Sequence, residues 1–209
     1  MFVRWCQIAL GLASACLSAT AAPVKVVSFS TVLTEVAKQV GGSQVEVVDM
    51  IKPGIDPHEF EPKPADLKLV AQSQLVLLSA KHMEGYVGKL KEALGGEGRI
   101  VEVGDQFPSL KMQPADHGGP GHEHGETVED PHWWHSIANV KRATRVVRDE
   151  LGKVSPADKA AFATNAKDYT AKLDALQKWV SIKLAELPRD RRKLVTSHDA
   201  FQYLSLIHI

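Results

Sequence analysis

Val24-Lys25-Val26-Val27-Ser28-Phe29 runs directly into Ser30-Thr31-Val32-Leu33-Thr34-Glu35-Val36-Ala37-Lys38-Gln39-Val40-Gly41-Gly42, and the reading of this unit decides the fold. Its first six residues form a short apolar run suited to a buried strand. Ser30 offers an N-cap oxygen, Val32, Leu33, Val36 and Val40 share a helical face, and Gly41-Gly42 stops the helix. The pattern then recurs downstream. Residues 45–51 read as a second strand, followed by a proline-containing loop, and Pro64 opens a helix through Leu67 and Val70. Leu75–Leu78 reads as a third strand, residues 84–94 as a helix and 99–103 as a fourth strand. Strands separated by helical segments predict right-handed βαβ units, a mainly parallel sheet and an α/β fold.

Beyond this lobe the period is helical. Residues 140–151 predict a helix ended by Gly152, and Ser155-Pro156 with Asp158 starts a longer one. In the longer helix Phe162, Ala166, Tyr169, Leu173, Leu176, Val180, Leu184 and Leu187 recur by threes and fours, a stripe that reads as core packing. An unbroken helix over 156–187 would reach on the order of 48 Å, enough to run along two lobes. Residues 193–196 are a further strand candidate. The expected organisation is a leader at 1–22, an α/β lobe at 23–152, a linking helix at 153–188 and the start of a second lobe at 189–209.

The first residues bear on compartment. Arg4 precedes an apolar stretch over 8–17, and Ala19-Thr20-Ala21 offers a cleavage site, the layout of a secretory signal peptide too short for a membrane span. A periplasmic location is expected. Lipid attachment at Cys16 is the lesser alternative, because Ala13-Ser14-Ala15-Cys16 lacks the usual leucine. The only cysteines, Cys6 and Cys16, fall in this leader, so any metal site in the body must use nitrogen and oxygen. Twenty-five basic residues balance 25 acidic ones, which argues against a nucleic-acid partner held by bulk charge. The chain is expected to be a monomer.

Histidine carries the functional signal. Asp56-Pro57-His58 and Asp130-Pro131-His132 repeat one tripeptide, and His198 follows a short apolar run ending Thr196-Ser197. Between the tripeptides lies Asp116-His117-Gly118-Gly119-Pro120-Gly121-His122-Glu123-His124-Gly125. Neutral imidazole is the commonest side-chain ligand of transition metals, so this concentration points to a metal ion, zinc first. His58 follows the second strand and His198 the last strand candidate, at the carboxyl ends where open α/β sheets bind ligands. Glycines and a proline preclude a fixed helix in the tract, so His117, His122 and His124 are expected to capture metal weakly rather than in a preorganised site. Glu59 is a candidate oxygen ligand. His135 would share a helical face with His132 and is read as an accessory or supporting residue. His82 and His208 are read as incidental.

Gly54-Ile55-Asp56-Pro57-His58-Glu59-Phe60-Glu61-Pro62, Asp130-Pro131-His132-Trp133-Trp134 and His198-Asp199-Ala200-Phe201 together resemble the substrate-binding proteins of bacterial zinc/manganese ABC importers. The resemblance spans residue 24 to about 203. It implies two α/β lobes joined by one long helix, with metal held in the cleft between them by His58, His132 and His198, and no catalysis. It also implies that the tract at 116–126 is the mobile loop ahead of the second ligand in zinc-selective members, and that the partner is a permease in the cytoplasmic membrane. Three imidazoles favour Zn2+ over Mn2+, which suits carboxylate-rich sites. Residues 204–209 depart from the family's continuation, so a truncated second lobe is expected, leaving a strand and much of the long helix uncovered and His198 with little scaffold.

Two rival functions share these residues. A metal-dependent surface adhesin would need no other motif. An exported zinc hydrolase would also use three histidines and a water. Against it, no His-Glu-x-x-His helix is present, His122-Glu123-His124 sits among glycines, and only Glu59 offers itself as a general base.

Overall fold

The computed structural model describes residues 22–95, 99–112, 127–193, 195–196 and 198–205. The expected leader with Cys6 and Cys16, the tract with His117, His122 and His124, and His208 lie outside the described residues.

Strands β1 (Val24–Ser28), β2 (Val45–Asp49), β3 (Leu75–Leu78) and β4 (Arg99–Glu102) form one all-parallel sheet in the order β2-β1-β3-β4. Helices α1 (Thr31–Gly41), α2 (Pro64–Ala71) and α3 (Val87–Ala93) make the crossovers. This is the expected α/β architecture. Ser30 caps α1, its Oγ accepting from the Leu33 N–H at 3.4 Å, and Gly42 ends it at φ 57°, a conformation open to glycine.

Alternation along each strand divides the core in two. Val24, Val26, Leu75, Leu77 and Val101 face α1, α4 (Ile137–Val154) and α5 (Lys159–Ala185). Val27, Val76 and Leu78 face the other way, onto Val70 of α2 and Leu90 of α3. Both faces of the sheet are covered at its centre, which is why β3, buried throughout, reads as an unbroken apolar run, while the edge strands β2 and β4 keep charged residues.

The helix expected over 84–94 starts late, at Val87. Ala80, Lys81 and His82, none of them glycine, take φ values of 71°, 57° and 64° and turn the chain left-handed just after β3. Specific partners hold this turn. The Glu84 carboxylate accepts from the Ser79 and Ala80 N–H groups at 2.6 and 2.9 Å, and the Lys81 ammonium donates to the Phe107 carbonyl at 3.2 Å.

The stripe on the long helix is core over only part of its length. A 3-10 turn, Pro156–Asp158, precedes α5, which then runs antiparallel to α4, with Lys141 pairing Asp174 at 2.7 Å. At 1.5 Å per residue the 27 residues of α5 span about 40 Å and the 18 of α4 only about 27 Å, so α5 overruns its neighbour. Of the stripe, Phe162, Ala166 and Leu173 are buried, Tyr169, Val180 and Leu184 half-buried, and Leu176 and Leu187 exposed, as are Trp179 and Ile182 beside it. Of the strand candidate at 193–196, the described residues 193, 195 and 196 lie in no strand, and Val195 is 95% exposed. A short antiparallel pair the sequence reading missed, β5 (Lys111–Met112) with β6 (Val128–Glu129), brackets the histidine tract. Two-residue strands carry no legible period. Among the described residues no helix is long and apolar enough to cross a membrane.

Candidate metal centre

Both Asp-Pro-His tripeptides fold the same way. In each, the aspartate Oδ1 accepts the N–H of the histidine two residues on, at 2.9 Å from His58 to Asp56 and 2.9 Å from His132 to Asp130. Proline between them restricts the backbone, and the closed turn aims the imidazole away from the chain. His58 sits in the loop after β2, at the carboxyl edge of the sheet.

The second turn is anchored from below. Trp133 is fully buried, and its indole N–H reaches both the carbonyl and the hydroxyl of Ser79, each at 3.0 Å, immediately after β3. Gly104 permits this approach: a Cβ there would lie 2.4 Å from the Ser79 carbonyl and 2.9 Å from the Trp133 indole nitrogen. His132 is thereby pinned beyond the end of β3, next to β1, where strand order reverses and α/β sheets open a crevice.

His58, His132 and His198 converge there, their ligand-capable nitrogens all within 4.8 Å of one another. The Nε2 atoms of His58 and His132 are 3.3 Å apart, and those of His198 and His132 3.4 Å. A tetrahedral zinc ion with bonds of about 2.0–2.1 Å holds its nitrogens about 3.3–3.4 Å from one another, so these two spacings suit a shared ion. His132 is only 4% exposed, while the other two face solvent, which gives an ion an open approach.

Proton placement on His132 follows from its partner. Its Nδ1 lies 2.9 Å from Asp130 Oδ1, a carboxylate oxygen that accepts only, so Nδ1 carries the proton and the Nε2 lone pair points at the other two rings. Asp130 is completely buried, and its Oδ2 has no hydrogen-bond partner among the described residues. A buried carboxylate with an unpaired oxygen favours positive charge nearby. A cation on His132 would supply it.

The remaining candidates fall elsewhere. Glu59 is exposed and outside the three-histidine group, and no carboxylate belongs to that group among the described residues. His135 stacks on Phe201 with ring centroids 4.6 Å apart. Burial first, and the neighbouring His132 second, lower its pKa and favour neutral imidazole. It lies outside the three-histidine group. Asp130, Trp133 and Tyr203 were not singled out from sequence as parts of the site. The repeated tripeptide held a usable signal for the first, since Asp two residues ahead of a histidine is an Asx-turn acceptor.

His198 is better held than expected. Ala200 and Tyr203 are 5% exposed each, and Tyr203 joins the core cluster of β1, α1 and α4. The short helix α6 (Gln202–Ser205) lies against the Trp133–His135 turn. The segment after His198 thus packs on the same elements that carry His132.

Residues 26–206 match the family model described as ZnuA, zinc-uptake complex component A, periplasmic. The chain belongs to this family. It is 31% identical over 180 residues to the manganese-binding lipoprotein MntA of Bacillus subtilis (strain 168), covering 86% of this chain and 56% of that protein. Against the zinc-binding protein TroA of Treponema pallidum (strain Nichols) it is 27% identical over 180 residues, again covering 86% and 56%. The solved structure of the periplasmic zinc-binding protein TroA from Treponema pallidum superposes with a TM-score of 0.75 at 26% identity, covering 90% of this chain and 64% of that one. The chain thus spans a little over half the length of the curated relatives it matches. Those relatives are named for binding metals, manganese in some and zinc in others, and not for catalysing a reaction.

Proposed function

We propose that this chain is the extracytoplasmic metal-binding receptor of an ABC importer, with Zn2+ as its cargo and a permease in the cytoplasmic membrane as its partner. His58, His132 and His198 are the ligands in this reading. The observation that carries it is the pair of Nε2 spacings, 3.3 and 3.4 Å, around a histidine whose proton is held on the far nitrogen by Asp130. Membership of a family of metal-uptake components supports it. Relatives divide between manganese and zinc, so the choice of zinc rests on the donors. Imidazole nitrogen suits zinc, whereas manganese prefers carboxylate oxygen, which the three-histidine group lacks among the described residues.

Such a protein needs no bond-making chemistry. Two exposed histidines capture the hydrated ion, and the buried one fixes it beside the carboxylate of Asp130. Water or a further ligand completes four-coordination. Isothermal titration with ZnCl2 and MnCl2 tests the reading. One tight zinc equivalent is expected, with His58→Ala, His132→Ala and His198→Ala each weakening it at least tenfold, on the order of 1.4 kcal/mol or more. Unchanged tight binding in all three variants, or tighter manganese than zinc, would reject it.

A further inference from the structure

Tyr203 is almost fully buried, five residues after His198, and its hydroxyl is the meeting point of three segments. The Leu110 N–H donates to it at 2.9 Å, the Ser109 hydroxyl lies 3.2 Å away, and it in turn donates to the Asp130 carbonyl at 3.3 Å. Gln202 adds a bond from its amide to the Lys111 carbonyl at 3.0 Å, and Phe201 stacks on His135. Ahead of His198 the described residues 195 and 196 are exposed and irregular, and the hydrogen bond given there is local, from the Thr196 hydroxyl to the His198 carbonyl at 2.8 Å. What fastens the chain after His198 therefore bears on where its imidazole sits. Among those fasteners the Tyr203 hydroxyl is the one that reaches Asp130, the residue that orients His132.

We propose that Tyr203 is a positioning residue that latches His198 against the first lobe, so that the third imidazole is in place before metal arrives. The proposal rests on the three-histidine reading above. Without the latch, the segment bearing His198 would be ordered only when metal binds, and that ordering would subtract from affinity. The expected contribution is modest, since one hydroxyl acting through an intervening segment cannot exceed what the ligand itself supplies.

The test is a set of zinc titrations on the full 209-residue chain, with zinc ion alone as the probe and a thermal melt on each variant to verify folding. Tyr203→Phe keeps the ring and removes the hydroxyl. It is expected to weaken zinc binding about fivefold, the size of one typical hydrogen bond. The same substitution should weaken binding by that factor in a His58→Ala background and by nothing further in a His198→Ala background. A purely structural role would reduce affinity equally in both. The latch is overturned if Tyr203→Phe binds like the parent, or if its loss persists undiminished when His198 is already gone. If Tyr203→Phe does not fold, Phe201→Leu is the second variant, with the same pattern expected and the same persistence overturning it. Parent-like affinity of His198→Ala alone would instead reject the three-histidine reading, and the latch with it.

Discussion

Asp130 serves two N–H groups with one oxygen. Its Oδ1 accepts the backbone N–H and the ring Nδ1 of His132, both at 2.9 Å, so a single carboxylate sets the turn, the tautomer and the direction of the lone pair. Its Oδ2 is buried without a partner among the described residues. Asp130→Asn would preserve size and one acceptor but remove the charge, and would put an amide N–H in place of the buried Oδ2. Such supporting partners typically matter tenfold to a hundredfold in metal affinity, so zinc binding by Asp130→Asn should fall by about that factor. A calorimetric titration checks it, and an affinity within twofold of the parent would mean that His132 is oriented by packing alone.

The element with the most unusual backbone is the left-handed turn 80–82. Three non-glycine residues at positive φ carry strain, and the Glu84 carboxylate holds them by accepting from Ser79 and Ala80. Two effects compete on that carboxyl. Burial raises its pKa, the backbone donors lower it, and burial wins, pushing it up to about 7 from 4.5. An unfolded chain releases this proton near pH 4.5 and the folded chain near 7, so between those values the folded state holds more protons. Stability from this group is full below about pH 4.5 and falls as pH rises to about 7, by up to about 3 kcal/mol. Melts from pH 4.5 to 8 should show a fall in the parent that Glu84→Gln lacks. Parallel curves for the two proteins would mean that the carboxyl is ionised throughout.

At the scale of the whole molecule, the histidine tract is expected to be separable from the metal centre. The β5–β6 pair, Lys111 opposite Glu129 and Met112 opposite Val128, closes the base of the tract. Below it, Asp130 N–H donates to the Leu110 carbonyl at 2.9 Å, so the turn that carries His132 is tied to the lobe by residues outside the tract. Deleting 116–126 should therefore leave one tight zinc equivalent and remove weaker ones, as read by titration with equilibrium dialysis. Loss of the tight equivalent would make the tract part of the primary coordination.

Residue pattern alone determined the parallel α/β lobe, since short β-branched strands starting at Val24, Val45, Leu75 and Arg99 alternate with helical spacing, the central Leu75 strand apolar throughout. It also determined which histidines to compare, because Asp-Pro-His makes the same local turn wherever it stands. Everything that depends on which segments meet was decided by tertiary structure. The stripe on α5 is uniform in sequence, yet no member after Leu173 is fully buried, because burial needs a neighbour and periodicity records only a face. The turn at 80–82 is invisible in residue types, since Ala, Lys and His adopt positive φ only when partners such as Glu84 hold them there. Tyr203 and Leu110 are 93 positions apart, and no local pattern joins them. Their hydrogen bond exists because the fold returns the chain to the same corner. That return brings three distant imidazoles within the span of one ion.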